Sequence, residues 1–200
     1  KAIGALAENT SSSIAVYDAD AFDSDGDNLT FSLAGTDQDA FTINAASGEV
    51  YLKASANFEA KSEYQFGIEV SDGALSDNLD LALTVSDVNE APVIDTGTSG
   101  TVTENTSASA VIYDADASDV DAGASLSFSV SGTDADKIVI DADDGEVRLL
   151  ATSDFETQSS YSFSVIATDG QLTDSKDVVV SVLDVNEAPV ITSGTTGSVY

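Results

Sequence analysis

The sequence predicts an all-β protein built as two tandem seven-stranded Greek-key β-sandwiches. Three observations predict it. The chain repeats itself at an interval of about 97 residues, its apolar side chains alternate with polar ones at a period of two, and its strand-like runs are short and broken by Asp, Asn, Ser and Gly.

The repeat is carried by acidic words. Glu8-Asn9-Thr10 returns as Glu104-Asn105-Thr106, Asp23-Ser24-Asp25 as Asp119-Val120-Asp121, and Asn57-Phe58-Glu59 as Asp154-Phe155-Glu156. Asp72-Gly73 returns as Asp169-Gly170, and the eight residues from Asp87 to Ile94 recur letter for letter from Asp184 to Ile191. Ser125 is one extra residue in a loop of the second copy and leaves the later register intact. The expected domains are residues 1–90, residues 91–187 and, at 188–200, the opening strand of a third repeat, with Val190 standing where Val93 stands in the second. A start at Lys1 and the absence of methionine suit a fragment of a longer chain.

In the first repeat, strands are expected at 3–7, 14–18, 29–33, 41–44 and 49–52, each ended by a turn-forming cluster. The sixth strand follows from Tyr64, Phe66, Ile68 and Val70 alternating with Gln65, Gly67 and Glu69. The seventh follows from Leu79, Leu81, Leu83 and Val85 alternating with Asp80, Ala82 and Thr84. Each pattern gives one buried face. Tyr161, Phe163 and Val165, then Val178, Val180 and Val182, repeat it in the second copy.

If consecutive strands run antiparallel, the turn after the first strand, the segment before the sixth and the end of the seventh share the C-terminal pole. The loops after the second and sixth strands share the other pole. Glu8, Asn57, Glu59, Asp87, Asn89 and Glu90 therefore reach the bottom of the first repeat, and Asp119, Asp121 and Asp169 the top of the second. Seven carboxylates are expected at this junction. Glu104, Asp154, Glu156, Asp184, Asn186 and Glu187 form the start of a second, incomplete junction.

Thirty-six acidic residues face six basic ones, for a net charge of −30, so nucleic acid and anionic membrane surfaces are excluded as partners. No run of about 18 apolar residues occurs, and no membrane insertion is expected of this segment. Scattered acids such as Asp37/Asp39 and Asp134/Asp136 read as solvated loops. The junction set needs more than solvent, because carboxylates about 4 Å apart repel by about 1 kcal/mol in water and about 4 kcal/mol at an intermediate effective dielectric. Clustered oxygen donors without His or Cys select a hard cation, and six to eight oxygens in flexible geometry favour Ca²⁺ over Mg²⁺. The run from Asp23 to Asp27 is not an EF-hand loop, since its twelfth position is Ala34 rather than Glu. With no histidine, no cysteine and no defensible Ser-Lys spacing, no catalytic nucleophile is expected and the protein is read as a non-enzyme.

These residues resemble cadherin repeats, specifically the bacterial cadherin-like branch, over nearly the whole of both copies. The resemblance implies ligands at the Glu near the first strand (Glu8, Glu104), at the Asp-x-Glu before the sixth (Asn57 and Glu59; Asp154 and Glu156) and at the linker (Asp87, Asn89, Glu90; Asp184, Asn186, Glu187). It also implies the Asp-x-Asp after the second strand (Asp23 and Asp25; Asp119 and Asp121) and the Asp after the sixth (Asp72, Asp169). It implies two or three Ca²⁺ in a complete junction. Asn57 and Glu90 depart from the usual Asp at their positions. Asp18/Asp20 and Asp114/Asp116 compete with Asp23/Asp25 and Asp119/Asp121 for the role after the second strand, and the chain has no tryptophan with which to exchange an anchored strand.

The expected function is a calcium-binding tandem module of a secreted or cell-surface protein, extracellular, in which Ca²⁺ rigidifies the linker for cell adhesion or protein association with a homotypic or heterotypic partner. Two alternatives are a carbohydrate-binding module, for which Tyr17, Tyr51 and Tyr113 would have to be exposed, and a passive stalk.

Overall fold

The computed structural model describes residues 2–191. The chain divides between Asn89 and Glu90 into two compact units. Apart from one three-residue 3-10 turn in each, Gln38–Ala40 and Ala135–Lys137, their regular structure is β.

The first unit has β1 (Ala2–Ala7), β2 (Ala15–Asp18), β3 (Thr30–Ala34), β4 (Phe41–Ile43), β5 (Glu49–Leu52), β6 (Glu63–Ser71) and β7 (Ser76–Ser86). They form a four-stranded sheet in the order β1-β7-β6-β3 and a three-stranded sheet in the order β2-β5-β4. β1 pairs in parallel with β7, whereas β6 pairs antiparallel with β7 along nine residues. Alternation does what it predicts: Phe66 and Ile68 from β6 and Leu81, Leu83 and Val85 from β7 point into the core, where they meet Phe41, Val50 and Leu52. The Phe41 and Phe66 rings lie 4.2 Å apart, and Phe41 meets Tyr64 edge-on at 5.6 Å. Each fully buried side chain of this size stabilises the fold by about 1.5–3 kcal/mol.

The second unit has β8 (Val93–Ile94), β9 (Ser99–Thr103), β10 (Val111–Asp114), β11 (Ala117–Ser118), β12 (Ser127–Ser131), β13 (Ile138–Ile140), β14 (Glu146–Leu149), β15 (Ser160–Thr168) and β16 (Thr173–Leu183). Its sheets run β9-β16-β15-β12 and β10-β14-β13, with β8 and β11 as a separate two-stranded pair. The opening strand is thus split. Val93–Ile94 pairs antiparallel with Ala117–Ser118, and after a break around Gly97 the chain resumes as β9 in parallel with β16. Pro92, which has no N–H to give, stands buried just before the short piece, and Ile94 closes the core at 2% exposure.

The strand expected from residue 188 is not formed at 188–191, which carry no strand pairing and expose Val190 and Ile191; the rest of that expected strand lies outside the described residues. The hairpin between β13 and β14 requires its glycine. Gly145 has φ +78°, and a Cβ there would collide with the Ala115 carbonyl oxygen. Gly48 repeats this in the first unit, φ +84° against the Ala19 carbonyl.

Candidate metal centre

At the end of the second unit, parallel pairing of β9 and β16 places Thr103 beside Leu183, so Glu104 and Asp184 leave the sheet together. Asn105 adopts φ 61°, a left-handed turn that Asn tolerates, and the Thr106 hydroxyl closes it by donating to the Thr103 carbonyl at 2.5 Å. The turn drives Glu104 inward to 4% exposure. Its Oε1 accepts the Val185 N–H, and its Oε2 accepts the Phe155 N–H at 3.1 Å. These two donors, Val185 first, hold its carboxyl below the usual range, so it stays ionised. Carboxylate oxygens of Glu104, Glu156, Asp184 and Glu187 all lie within 4.8 Å of one another. Glu156 shows the strain of this crowding. Its own backbone N–H pulls its pKa down, yet partial desolvation and the charges of Glu104, Glu187 and Asp184 carry it upward. Asp154 caps its own turn, Oδ1 accepting the Thr157 N–H at 2.9 Å, and Asn186 Nδ2 donates to the Glu187 carbonyl at 3.4 Å.

The first unit builds the same corner from the same words. Glu8 is 3% exposed and accepts the Phe58 N–H at 2.8 Å and the Val88 N–H at 2.9 Å, which keep its pKa low. Asn9 repeats the left-handed turn at φ 58°. Oxygens of Glu8, Glu59 and Asp87 fall within 4.8 Å of one another. Asn57 does what Asp154 does: its Oδ1 accepts the Ala60 N–H at 2.6 Å. Asn89 is half-buried at the end of this unit.

At the other pole of the second unit, Ser127 at the start of β12 pairs with Thr168 at the end of β15, so the 119–126 loop and the 169–172 turn lie at one end of the sheet. Asp119 Oδ1 accepts the Asp121 N–H at 2.9 Å, and Asp121 Oδ2 accepts the Glu90 N–H at 2.9 Å. The remaining oxygens, Asp119 Oδ2 and Asp121 Oδ1, are buried with no hydrogen-bond partner. Asp169 Oδ1 accepts the Gln171 and Leu172 N–H groups, each at 2.6 Å, and the side chain of Glu90 is half-buried. Asp114 and Asp116 are exposed, and Asp116 spends its backbone on Thr96 and Asp95. In the first unit Asp23 Oδ1 gathers the Asp25 and Asp27 N–H groups at 2.8 and 3.2 Å, while Asp18 and Asp20 are exposed.

A buried carboxylate oxygen left without a donor costs about 1–3 kcal/mol or more. The three ion pairs among the described residues, Lys61–Asp37, Lys137–Asp134 and Arg148–Glu146, all lie elsewhere. An all-oxygen set of this kind fits a hard divalent cation.

Two readings change. Asp37 and Asp134 are not solvated loop acids. Asp134 is 8% exposed and takes Lys137 Nζ at 2.8 Å and Gln158 Nε2 at 3.0 Å on Oδ1, and the Ser162 N–H at 2.8 Å on Oδ2. Asp37 takes Lys61 Nζ and the Gln65 N–H. Both pin the start of the sixth strand, a role signalled only by partners far along the chain. Tyr113 is buried, donating its hydroxyl to the Gly97 carbonyl, and Tyr17 and Tyr51 are half-buried, so these three make no aromatic platform for a sugar.

With this geometry in place, the class is a tandem β-sandwich with carboxylate clusters at the domain poles. Residues 98–183 match the family model described as Cadherin domain. Human Protocadherin-23 is 29% identical over 167 residues, covering 80% of this chain and 5% of that protein. Human Protocadherin-16 is 34% identical over 166 residues, covering 78% and 5%. The crystal structure of human Protocadherin-24 EC1-2, Form II, is similar in fold, with a TM-score of 0.66 at 21% identity over 92% of this chain and 94% of that one. These likenesses support the cadherin superfamily. The relatives named are animal proteins and do not show its bacterial branch. The chain spans only about a twentieth of the two curated relatives named.

Proposed function

We propose that the chain is a calcium-binding tandem module of an extracellular or cell-surface protein. In this reading Ca²⁺ bound by Glu8, Asn57, Glu59, Asp87, Asn89 and Glu90 together with Asp119, Asp121 and Asp169 stiffens the linker for adhesion or protein association. The observation that carries it is the pair of buried, unpartnered oxygens on Asp119 and Asp121, matched by carboxylate clusters whose members crowd within 4.8 Å. A cation offsets both the desolvation and the repulsion, and the three ion pairs among the described residues lie elsewhere. Two or three Ca²⁺ suit the junction's charge, and Glu104, Asp154, Glu156, Asp184, Asn186 and Glu187 supply half of another. The run from Asp23 to Asp27 before β3 favours a bacterial source for the sequence. No enzymatic role follows from these oxygens, and a carbohydrate partner has no support from the tyrosines.

Calorimetric titration with Ca²⁺, paired with small-angle scattering in calcium and in chelator, tests this. Saturable binding with an extended, less variable particle in calcium is expected. Absence of binding at millimolar Ca²⁺ overturns the reading.

A further inference from the structure

Residues 95–98 lie between β8 and β9, and the chain around them is held more by side chains than by a sheet. The pairing of Val93–Ile94 with Ala117–Ser118 is two residues long, too short to fix the entry of a chain by itself. Beyond it, the Ile94 N–H donates to Asp174 Oδ2 at 2.9 Å. Lys176 Nζ donates to the Ile94 carbonyl at 2.5 Å and to the Thr96 carbonyl at 2.9 Å. The Asp116 N–H donates to Thr96 Oγ1 at 2.5 Å, and the Tyr113 hydroxyl to the Gly97 carbonyl at 2.5 Å. Upstream, Asp121 Oδ2 accepts the Glu90 N–H at 2.9 Å, and Pro92 is buried with its φ fixed by its ring. The stretch from Glu90 to Thr96 is therefore pinned to the second unit at both ends.

Lys176 is the unusual member of this set. Thirty-six acidic residues are available to six basic ones, and Lys61, Lys137 and Arg148 each take one. Among the described residues Lys176 forms no ion pair and gives its ammonium to two backbone carbonyls. It is half-buried on β16, and a charge-assisted bond of this kind is about twice as strong as a neutral one. The first copy has Asp77 where the second has Asp174, but Leu79 where the second has Lys176. With that leucine in place β6 still pairs with β7 along all of its residues, Ile68 opposite Leu79, so the sandwich does not require the lysine. Its bonds serve the entering chain rather than the sheet.

We infer that Lys176 and Asp174 are a positioning pair that anchors the downstream end of the linker to β16, so that order imposed on residues 87–90 reaches the sheet of the second unit. Calcium, in the function proposed above, is the source of that order; the clamp itself forms without the ion.

Amide hydrogen exchange read by NMR on the whole chain, with calorimetry and small-angle scattering beside it, tests this. Lys176→Leu installs the residue that the first copy carries there. In chelator it should speed exchange of the Ile94 and Asp95 amides by on the order of tenfold, the loss of a bond to a charged donor, while β15 and β16 keep their protection. Lys176→Arg, which can still donate to both carbonyls, should restore much of the protection. In calcium, Lys176→Leu should bind the ion as tightly as the unsubstituted chain does, yet the narrowing of the particle on adding calcium should shrink. Unchanged exchange at Ile94 and Asp95, protection lost throughout β15 and β16, or a narrowing equal to that of the unsubstituted chain overturns the inference. If the unsubstituted chain binds no calcium, the proposed function falls, and the exchange rates in chelator alone decide the clamp.

Discussion

Asp134 reaches 28 residues along the chain to bind the Ser162 N–H through Oδ2 at 2.8 Å, while its other oxygen holds Lys137. One carboxylate thereby ties the 3-10 turn before β13 to the first residues of β15. Asp134→Ala is expected to destabilise the second unit by about 1–3 kcal/mol, because a part-buried backbone donor loses its acceptor. Chemical denaturation with an unchanged m-value checks it.

The same residue gives a pH dependence. The Lys137 ammonium and then the Ser162 N–H hold the Asp134 pKa below its ordinary value, and Asp37 is lowered likewise by Lys61 and then Gln65. A depressed folded-state pKa contributes stability above the unfolded value, about 3.9, and that contribution is lost as pH falls through the lower folded value. Thermal melts in chelator should therefore lose stability below about pH 4. In Asp37→Asn/Asp134→Asn the slope there should flatten.

Gly145→Ala is expected to cost more than Gly123→Ala. Both residues have positive φ, which costs an alanine about 1–2 kcal/mol, but only Gly145 faces a carbonyl, that of Ala115, and around Gly123 there is open space. Equal losses on denaturant titration would refute the close approach.

Asp121→Asn should weaken Ca²⁺ binding while leaving the melt in chelator unchanged or slightly raised, since it removes the charge of a carboxylate that has a buried oxygen without a hydrogen-bond partner. For the unsubstituted chain, calcium at a hundred times Kd adds about 2.7 kcal/mol. A variant that unfolds in chelator contradicts the separation of core from ligand set.

Glu104→Ala and Glu156→Ala should part company. Both remove a cluster carboxylate, yet only Glu104 secures the Phe155 and Val185 N–H groups. Its loss should lower Tm even in chelator; that of Glu156 should not. Differential scanning calorimetry on both distinguishes them.

The strands and the corner acids were legible because their signals are local or repeated: Phe66 and Ile68 alternate, and Glu8 and Glu104 open identical turns. What escaped the sequence is long-range. Nothing beside Asp37 or Asp134 in the chain marks a partner 28 residues on. The split between β8 and β9 depends on a two-residue match with Ala117–Ser118, too short to leave a period.

The parallel alignment of β9 with β16 has a mechanical meaning. Five successive partners, Ser99 with Val179 through Thr103 with Leu183, bind the entering strand to the departing one while both run the same way. A pull on the two ends of this unit therefore loads those bonds together in shear instead of peeling them one at a time, which is the geometry a tether needs to bear tension.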